Sequence, residues 1–354
     1  VSTVIAARVQ QAQPAGEVGS TRNAKVAYPM QGERAPLTFL AGELTPDQIN
    51  ELKAVAPNVK VIASVTRQTA MEHAAEAQGV DARFATAEFI GKAPKLVWVQ
   101  AMSAGVDRYL ANTALAETDR IVLTNMRAVH GPAIADHAMA MLLELTRGMR
   151  FYGEAQAKGK WTDEAPDPRP MALQGKTMLV VGIGGIGTEI AQRAHGFGMR
   201  VIATRRSDTP APAYVEKVGK PGDLLTMLPE ADVVAICVPL TAETEKMFDA
   251  AAFSAMKKGS YLINIARGRV VETPAMIEAL KSGKLAGACL DVTDPEPLPE
   301  GHPLWGMKNV VITPHTAAEA DLTEERHWAL FKENVRRFGA GEPLLNCVDK
   351  KAGY

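Results

Sequence analysis

The stretch that decides the fold is VVGIGGIGTEIA, residues 180–191, which joins a strand pattern to a helix pattern. Its glycines follow the spacing GxGxxG. Gly182 permits a tight turn, Gly184 lets the backbone approach a pyrophosphate, and Gly187 lets the helix pack closely on the strand. The new helix would begin with free N–H groups and a partial positive charge, which favour an anion. The motif therefore predicts a dinucleotide site; a glycine-rich turn without a ligand is the alternative.

Strand patterns recur after this turn at the spacing of a doubly wound sheet. A long apolar helix is predicted at 133–152 and a last helix at 323–338. Six apolar, β-branched runs, separated mostly by helical patterns, are expected to form parallel strands. They lie at 177–182, 199–204, 233–238, 260–265, 286–291 and 309–313.

The first third of the chain repeats the alternation on a smaller scale. A helix is predicted at 67–79, with Gly79 as its C-cap. Strand patterns occur at 24–30, 37–43, 58–66, 82–89, 95–102 and 121–125. The predicted fold class is therefore α/β, with two Rossmann-like domains built on doubly wound parallel sheets.

Length and charge narrow the class of protein. The chain has 354 residues, which is long for a single core and favours two domains. With 39 basic and 40 acidic residues its net charge is −1, which argues against nucleic acid or an anionic membrane as a partner. No apolar run approaches the roughly 20 residues that a membrane-spanning helix needs.

The cysteines and the N-terminal stretch bear on location. Cys237, Cys289 and Cys347 have no paired spacing, so we expect buried thiols in a reducing, cytoplasmic compartment rather than a disulfide framework or a metal site. Residues 1–23 are interpreted as a tail that lacks stable structure. Because residues 11–24 are polar and rich in glycine and alanine, a processed or exported form stays open.

The strand after the glycine turn ends in VIATRRSD, residues 201–208. A site for NAD usually has Asp or Glu here, whose carboxylate accepts from the ribose 2′-hydroxyl. Arg205 and Arg206, followed by Ser207, would instead suit a 2′-phosphate, through charge-assisted hydrogen bonds. The pattern favours NADP(H), with NAD(H) as the alternative if the arginines are solvated and Asp208 takes the ribose.

Three side chains suited to a hydride reaction follow predicted strands: Arg267, Glu296 and His315. The carboxyl ends of parallel strands share one sheet edge, where ligands bind. Reducing a 2-keto acid requires a cation for the carboxylate and an acid that protonates the keto oxygen. Arg267 suits the first role and His315 the second, while Glu296 would fix the imidazole tautomer and favour its protonated form. Each alone has a structural explanation, but together they favour catalysis.

Several stretches in the same order carry a wider resemblance, over roughly residues 82–350. The chain resembles the D-isomer specific 2-hydroxyacid dehydrogenase family, and within it is most similar to glyoxylate/hydroxypyruvate reductases. Besides the glycine stretch, the matching pieces are residues 102–110, 124–147, 238–249, 256–273, 290–315 and 346–349.

The resemblance implies a flavodoxin-like substrate domain, residues 24–125 and 319–354, with an NAD(P)-binding domain, residues 126–318, inserted in it. It implies a homodimer, catalysis by the three residues above, and substrate binding by Arg267 and the amides of Ala104 and Gly105. Asp291 would meet the nicotinamide carboxamide. Together with the motif residues, the predicted cofactor contacts are Gly182, Gly184, Gly185, Ile186, Gly187, Arg205, Arg206, Ser207, Val238, Pro239, Thr244, Ile265, Ala266 and Asp291.

The predicted function is NADPH-dependent reduction of a small 2-keto acid, such as glyoxylate or hydroxypyruvate, to the D-2-hydroxy acid. One alternative is an NAD-dependent oxidative dehydrogenase of the same family. The other is a nucleotide-sensing, corepressor-like binding protein, which the presence of all three catalytic residues disfavours.

Overall fold

The computed structural model describes residues 36–166 and 169–354, which fall into two compact units. The terminal unit comprises the described residues up to Val129 together with Glu324–Tyr354, and the central unit is His130–Thr323. The boundaries predicted from the sequence lie at residues 126 and 318. The tail predicted at 1–23 and the strand predicted at 24–30 lie outside the described residues.

A parallel five-stranded sheet forms the terminal unit. Its strands are β1 Leu37–Leu40, β2 Val59–Ile62, β3 Gly79–Asp81, β4 Trp98–Gln100 and β5 Val122–Thr124. Their order is β2-β1-β3-β4-β5. The strand predicted at 82–89 is wrong, because the Thr86 side chain caps a helix that begins at Ala87. Gly79 is the first residue of β3 and not a C-cap, since the helix before it ends at Glu72.

The central unit contains a parallel seven-stranded sheet. Its strands are β6 Thr177–Val181, β7 Arg200–Thr204, β8 Val215–Gly219, β9 Val233–Ile236, β10 Ser260–Asn264, β11 Leu285–Leu290 and β12 Val310–Ile312. Their order is β12-β11-β10-β9-β6-β7-β8. The predicted α/β class with two parallel sheets is therefore confirmed. Edge strand β8 was not predicted, because its sequence VEKVG contains two exposed charged residues and a glycine, which interrupt the apolar pattern.

Helices connect the strands of both sheets. Among the described residues they are α1 Pro46–Val55, α2 Arg67–Glu72, α3 Ala87–Lys92, α4 Asp107–Leu110, α5 Thr113–Ala116, α6 Gly131–Thr146, α7 Met149–Ala157, α8 Gly185–Gly196, α9 Leu224–Met227, α10 Ala250–Ala255, α11 Thr273–Lys281 and α12 Asp321–Ala340. Nowhere in these described segments is a helix both long and apolar enough to cross a membrane.

The single helix predicted at 133–152 is two helices, α6 and α7. Gly148 separates them in a left-handed conformation, with φ of 64°. A Cβ at Gly148 would lie 2.5 Å from Cγ of Pro166. Both the left-handed backbone and the lack of space for a side chain therefore favour glycine at the break. The apolar pattern continues through the break, and for that reason the sequence alone does not reveal it.

Buried aromatic and polar contacts fix the C-terminal helix α12 on the sheet of the terminal unit. The ring centroids of Trp98 and Phe338 lie 4.9 Å apart, and those of Trp98 and Phe39 lie 4.7 Å apart. Asn334 of α12 donates to the side-chain oxygen of Gln100 at 3.2 Å, and both residues are fully buried. The last part of the chain is thus integral to the core of this unit.

Candidate active site

The glycine turn joins β6 to α8 at the carboxyl edge of the central sheet. Gly182 has φ of 97°, and a Cβ at Gly187 would lie 2.3 Å from the carbonyl oxygen of Gly182. A Cβ at Gly184, in contrast, would meet no heavy atom within 4 Å. The close packing at Gly187 and the open space at Gly184 fit the turn that holds a dinucleotide pyrophosphate.

The first turn of α8 supplies donors beside this open space. Thr188 N–H makes the first bond of the helix, to the carbonyl of Gly184, at 2.9 Å. The amides of Gly185, Ile186 and Gly187 precede that bond, where an α-helix has no partner of its own for its N–H groups. An anion at this position would be stabilised by those amides and by the helix dipole.

Arg205, at the end of β7, is engaged with backbone carbonyls. Its Nε donates to Ile183 of the glycine turn at 2.9 Å, and its Nη1 donates to Thr209 at 2.6 Å and to Pro210 at 3.1 Å. Burial lowers the pKa of the Arg205 guanidinium below its ordinary value. This arginine therefore braces the loop after β7 against the glycine turn.

The next three residues of that loop are exposed and lie beside Lys220, which follows β8. Lys220 Nζ bonds the carboxylate of Asp208 and donates to the carbonyl of Arg206 at 3.4 Å. The hydrogen bond from Lys220 holds the pKa of the Asp208 carboxyl below its usual range. Arg206, Ser207 and Lys220 are thus exposed where β7 and β8 end, and Asp208 is paired with the lysine.

His315 and Glu296 are in contact. His315 Nδ1 lies 2.7 Å from Glu296 Oε1, and about two fifths of each side chain is exposed, 45% and 40%. Because an ionised carboxylate only accepts, Nδ1 carries the proton of this bond. The opposite ring nitrogen, Nε2, is then the atom that can exchange a proton with a bound molecule.

The backbone of His315 is left-handed, with φ of 58°, which is uncommon for a residue with a Cβ. Two bonds of its N–H group, to the carbonyls of Asp291 at 2.8 Å and Thr313 at 3.0 Å, hold this conformation. The Asp291 side chain accepts from Thr316 N at 2.9 Å. It also accepts from Ala317 N at 3.2 Å. Asp291 therefore holds the backbone of this loop at three successive amides, those of residues 315, 316 and 317.

Arg267 follows β10, next to the loop that carries Glu296. The carbonyl of Arg267 accepts from Asn264 Nδ2 at 3.0 Å. The Arg267 side chain donates from Nη1 to the carbonyl of Ala266 at 2.7 Å. A Cβ at Gly268 would lie 1.9 Å from the carbonyl oxygen of Thr293, so the two loops touch through their backbones. The loops after β10, β11 and β12 are thus contiguous at the sheet edge where Arg267, Glu296 and His315 stand.

The other predicted cofactor residues of the central unit lie at the same edge. A Cβ built on Gly182 would be 2.8 Å from Val238 Cγ1, which places the loop after β9 against the glycine turn. Thr244 Oγ1 donates to the carbonyl of Pro239 at 2.6 Å and shapes that loop. Ile265 and Ala266, both buried, follow β10 directly and precede Arg267.

In the terminal unit, the loop after β4 carries Ala104 and Gly105. The carbonyl of Ala104 accepts from Asn125 Nδ2 at 2.7 Å, and that of Gly105 accepts from Ser103 Oγ at 2.8 Å. These bonds fix the backbone of the loop whose amides are predicted to bind the substrate. Their role in binding stays a prediction.

Three residues of the site were missed by sequence reasoning. Lys220 follows an edge strand whose pattern is too polar to predict. His137 is a polar residue within apolar α6, and its Nε2 lies 2.9 Å from Thr313 Oγ1. Thr313 stands two residues before His315, and its hydroxyl bonds Asp291 at 2.7 Å. The only available signal was that His137 and Thr313 fall inside the stretches that resemble the family.

Comparisons with known proteins agree with this geometry. Residues 139–317 match the family described as "D-isomer specific 2-hydroxyacid dehydrogenase, NAD binding domain". The chain is 34% identical over 326 residues to the glyoxylate/hydroxypyruvate reductase B of Salmonella heidelberg, covering 90% of this chain and 99% of the relative.

Two solved structures share the fold over most of the chain. A D-isomer specific 2-hydroxyacid dehydrogenase from Xanthobacter autotrophicus Py2, in complex with NADPH and MES, has a TM-score of 0.76 and 29% identity, covering 91% of this chain and 100% of its own. An NADPH-dependent glyoxylate/hydroxypyruvate reductase from Sinorhizobium meliloti, in complex with NADP and sulfate, has a TM-score of 0.73 and 27% identity, covering 90% and 100%. The chain belongs to the D-isomer specific 2-hydroxyacid dehydrogenase family of NAD(P)-dependent oxidoreductases.

Proposed function

We propose that the protein uses NADPH to reduce a small 2-keto acid, such as glyoxylate or hydroxypyruvate, to the D-2-hydroxy acid. The observation that carries the proposal is the His315–Glu296 contact of 2.7 Å at the sheet edge that also holds the glycine turn. Relatives named glyoxylate/hydroxypyruvate reductase support the substrate class. When bound, the nicotinamide cofactor supplies the hydride that adds to C2 of the keto acid.

His315 is the proposed proton donor. With Nδ1 bonded to Glu296, Nε2 can deliver a proton to the keto oxygen as negative charge develops on it. Glu296 keeps the ring in this tautomer and stabilises the charged imidazolium. The left-handed backbone and its two N–H bonds hold the ring in place, so little reorganisation is needed when the proton moves.

Arg267 is proposed to bind the substrate carboxylate and to polarise the keto oxygen. A guanidinium forms paired hydrogen bonds with a carboxylate, which orients a small acid as well as attracting it. From the family resemblance, the amides of Ala104 and Gly105 are proposed to contribute to substrate binding as well.

The preference for NADPH is proposed to depend on Arg206, Ser207 and Lys220 rather than on Arg205. Arg205 has three bonds to backbone carbonyls and serves the loop, whereas Arg206 and Ser207 are exposed beside Lys220. Two relatives with NADP or NADPH bound support this preference.

A steady-state panel of 2-keto acids with His315→Ala tests the reaction. Loss of a general acid should lower kcat by about 10²–10⁴-fold. His73→Ala is the matched control, because His73 Nδ1 lies 2.6 Å from Glu76 Oε1 in the terminal unit and forms the same type of exposed pair. Turnover by His315→Ala at the rate of His73→Ala would refute the assignment. Absence of turnover by the unaltered protein on every keto acid would refute the substrate class.

The kcat/KM values for NADPH and NADH test the cofactor assignment. Arg206→Ala should lower the value for NADPH by about 10–100-fold, through lost charge-assisted bonds, and leave NADH nearly unchanged. Arg205→Ala should lower both values together, because it loosens the loop that either cofactor contacts. An equal loss for both cofactors in Arg206→Ala would contradict the proposal.

We also propose a homodimer, in a cytoplasmic setting. Exposed apolar side chains on α7 and the loop after it support the dimer: Met149 is 56% exposed, Tyr152 39% and Trp161 94%. Met149 and Tyr152 lie three residues apart on α7 and so share a helix face, and large exposed apolar side chains grouped on one face are typical of an association surface. Light scattering of the protein and of Trp161→Ser is the test, and a monomer at micromolar concentration in the unaltered protein would contradict it.

A further inference from the structure

A hydrogen-bond chain runs from α6 to the loop that carries the proposed proton donor. His137 Nε2 lies 2.9 Å from Thr313 Oγ1, and Thr313 Oγ1 lies 2.7 Å from Asp291 Oδ1. The Asp291 side chain is only 3% exposed. The chain links three elements, α6, the end of β11 and the loop after β12.

The direction of each bond in this chain follows from counting protons. Asp291 Oδ1 already accepts from the backbone N–H of Thr316, so it is an acceptor. The Thr313 hydroxyl has one proton, and at 2.7 Å from that oxygen it must donate there. The other polar neighbours of the hydroxyl are Met141 Sδ at 3.7 Å, which has no proton to donate, and His137 Nε2, which is therefore the donor in its bond with Thr313. Nε2 of His137 carries a proton.

From this chain we propose that His137 is a positioning residue for catalysis. Its Nε2–H orients the Thr313 hydroxyl, the hydroxyl fixes the Asp291 carboxylate, and the carboxylate holds the backbone amides of residues 316 and 317, which directly follow His315. The inference rests on the proposed function for its catalytic consequence, and on geometry alone for its effect on the loop.

The left-handed conformation of His315 explains why such positioning is needed. A residue with a Cβ keeps this conformation only when its surroundings impose it. Here the Asp291 carboxylate accepts from the amides of Thr316 and Ala317, directly after His315. The Asp291 carbonyl accepts from the amide of His315 itself. If the carboxylate turns, the amides of residues 316 and 317 lose their acceptor and the ring of His315 is no longer held beside Glu296.

Two substitutions of His137 separate this role from simple packing. The side-chain amide of glutamine can reach the place of Nε2, whereas that of asparagine reaches only the place of Nδ1. His137→Gln should therefore keep the donor to Thr313, and His137→Asn should lose it, although both replace the ring by an amide. Thr313→Val removes the middle of the chain and should have the same effect as His137→Asn.

The first measurement is hydrogen exchange of the peptide that contains residues 316 and 317, in the full-length protein without cofactor. We expect exchange about tenfold faster in His137→Asn, and close to the unaltered rate in His137→Gln, because local opening follows loss of the Asp291 bonds. This readout does not depend on any keto acid being a substrate. Unaltered exchange in His137→Asn, or equally fast exchange in both variants, would overturn the proposal.

The second measurement is kcat on a keto acid that the unaltered protein reduces. A misplaced imidazole should lower kcat by about tenfold in His137→Asn, with a thermal midpoint close to that of His137→Gln. Adding Thr313→Val to His137→Asn should lower kcat no further, since both break one chain. A fully additive loss would overturn the proposal. If the unaltered protein reduces no keto acid, the proposed function fails, while the exchange experiment still decides the role of His137.

Discussion

The contrast between two glycines of the turn gives a sharp prediction. Gly184→Ala should leave the fold intact and weaken NADPH binding, whereas Gly187→Ala should weaken the fold. A Cβ at Gly184 meets nothing within 4 Å, and its backbone, φ −101° and ψ −152°, is extended. The open space is the proposed place of the pyrophosphate, so the added methyl would exclude the ligand and not a protein atom.

The magnitudes follow from these contacts. The methyl of Gly184→Ala should disturb one or two charge-assisted bonds, so NADPH binding weakens by about 10–100-fold, or about 1.4–2.8 kcal/mol. The Cβ of Gly187→Ala would lie 2.3 Å from a carbonyl oxygen, about 1 Å less than ordinary C···O contact. That overlap costs about 1–3 kcal/mol, and the better helix propensity of alanine offsets about 1 kcal/mol of it. The net loss, up to about 2 kcal/mol, lowers Tm by up to about 8 °C.

Gly196→Ala is the matched control, since Gly196 is the exposed last residue of the same helix and its Cβ would also meet nothing within 4 Å. Isothermal titration with NADPH and thermal denaturation measure the two effects. If the NADPH affinity of Gly184→Ala were within threefold of that of Gly196→Ala, the proposed position of the pyrophosphate beside Gly184 would be refuted. A lower Tm for Gly184→Ala than for Gly187→Ala would refute the packing argument.

Three further predictions concern stability. Burial raises the pKa of the Asp232 carboxyl, but Lys257 and a backbone amide lower it more, so the folded pKa is below its usual range. The ionised Asp232 carboxylate therefore stabilises the folded state. Its contribution to the free energy of unfolding is complete above about pH 4 and is lost as pH falls through the folded pKa. The urea midpoint of Asp232→Asn should therefore depend less on pH in that window than the midpoint of the unaltered protein. Asn334→Leu removes buried bonds to Gln100 and to the backbone and should cost about 2–3 kcal/mol by urea unfolding; less than about 0.5 kcal/mol would contradict this. Lys350→Met removes three bonds to backbone carbonyls and should cost about 1 kcal/mol by the same measurement, whereas an unchanged midpoint would show that water replaces them.

Local patterns were sufficient for most of the fold. The six strands predicted in the central unit are present within two residues at each end, because buried parallel strands are continuous apolar runs. The errors lie where local pattern and tertiary contact disagree. Residues 82–89 have apolar alternation, yet Thr86 begins a helix there, and the helical pattern of 133–152 continues through the break at Gly148.

The candidate site shows the same division. Motif order singled out His315 and Glu296, and the structure brings them to 2.7 Å. The two arginines after β7 look equivalent in sequence, but only the structure shows Arg205 bonded to three carbonyls. No sequence pattern distinguishes an arginine whose side chain supports a loop from one whose side chain is exposed.

The sequence by itself determined the glycine turn, the alternation of strands and helices, and the order of the residues proposed for catalysis. These depend on backbone freedom at glycine and on apolar periodicity, which are properties of neighbouring residues. Tertiary structure alone decided the chain from His137 through Thr313 to Asp291, whose first two members are 176 residues apart. A hydrogen bond between distant residues depends on the packing of whole elements, so it leaves no periodic trace in the sequence.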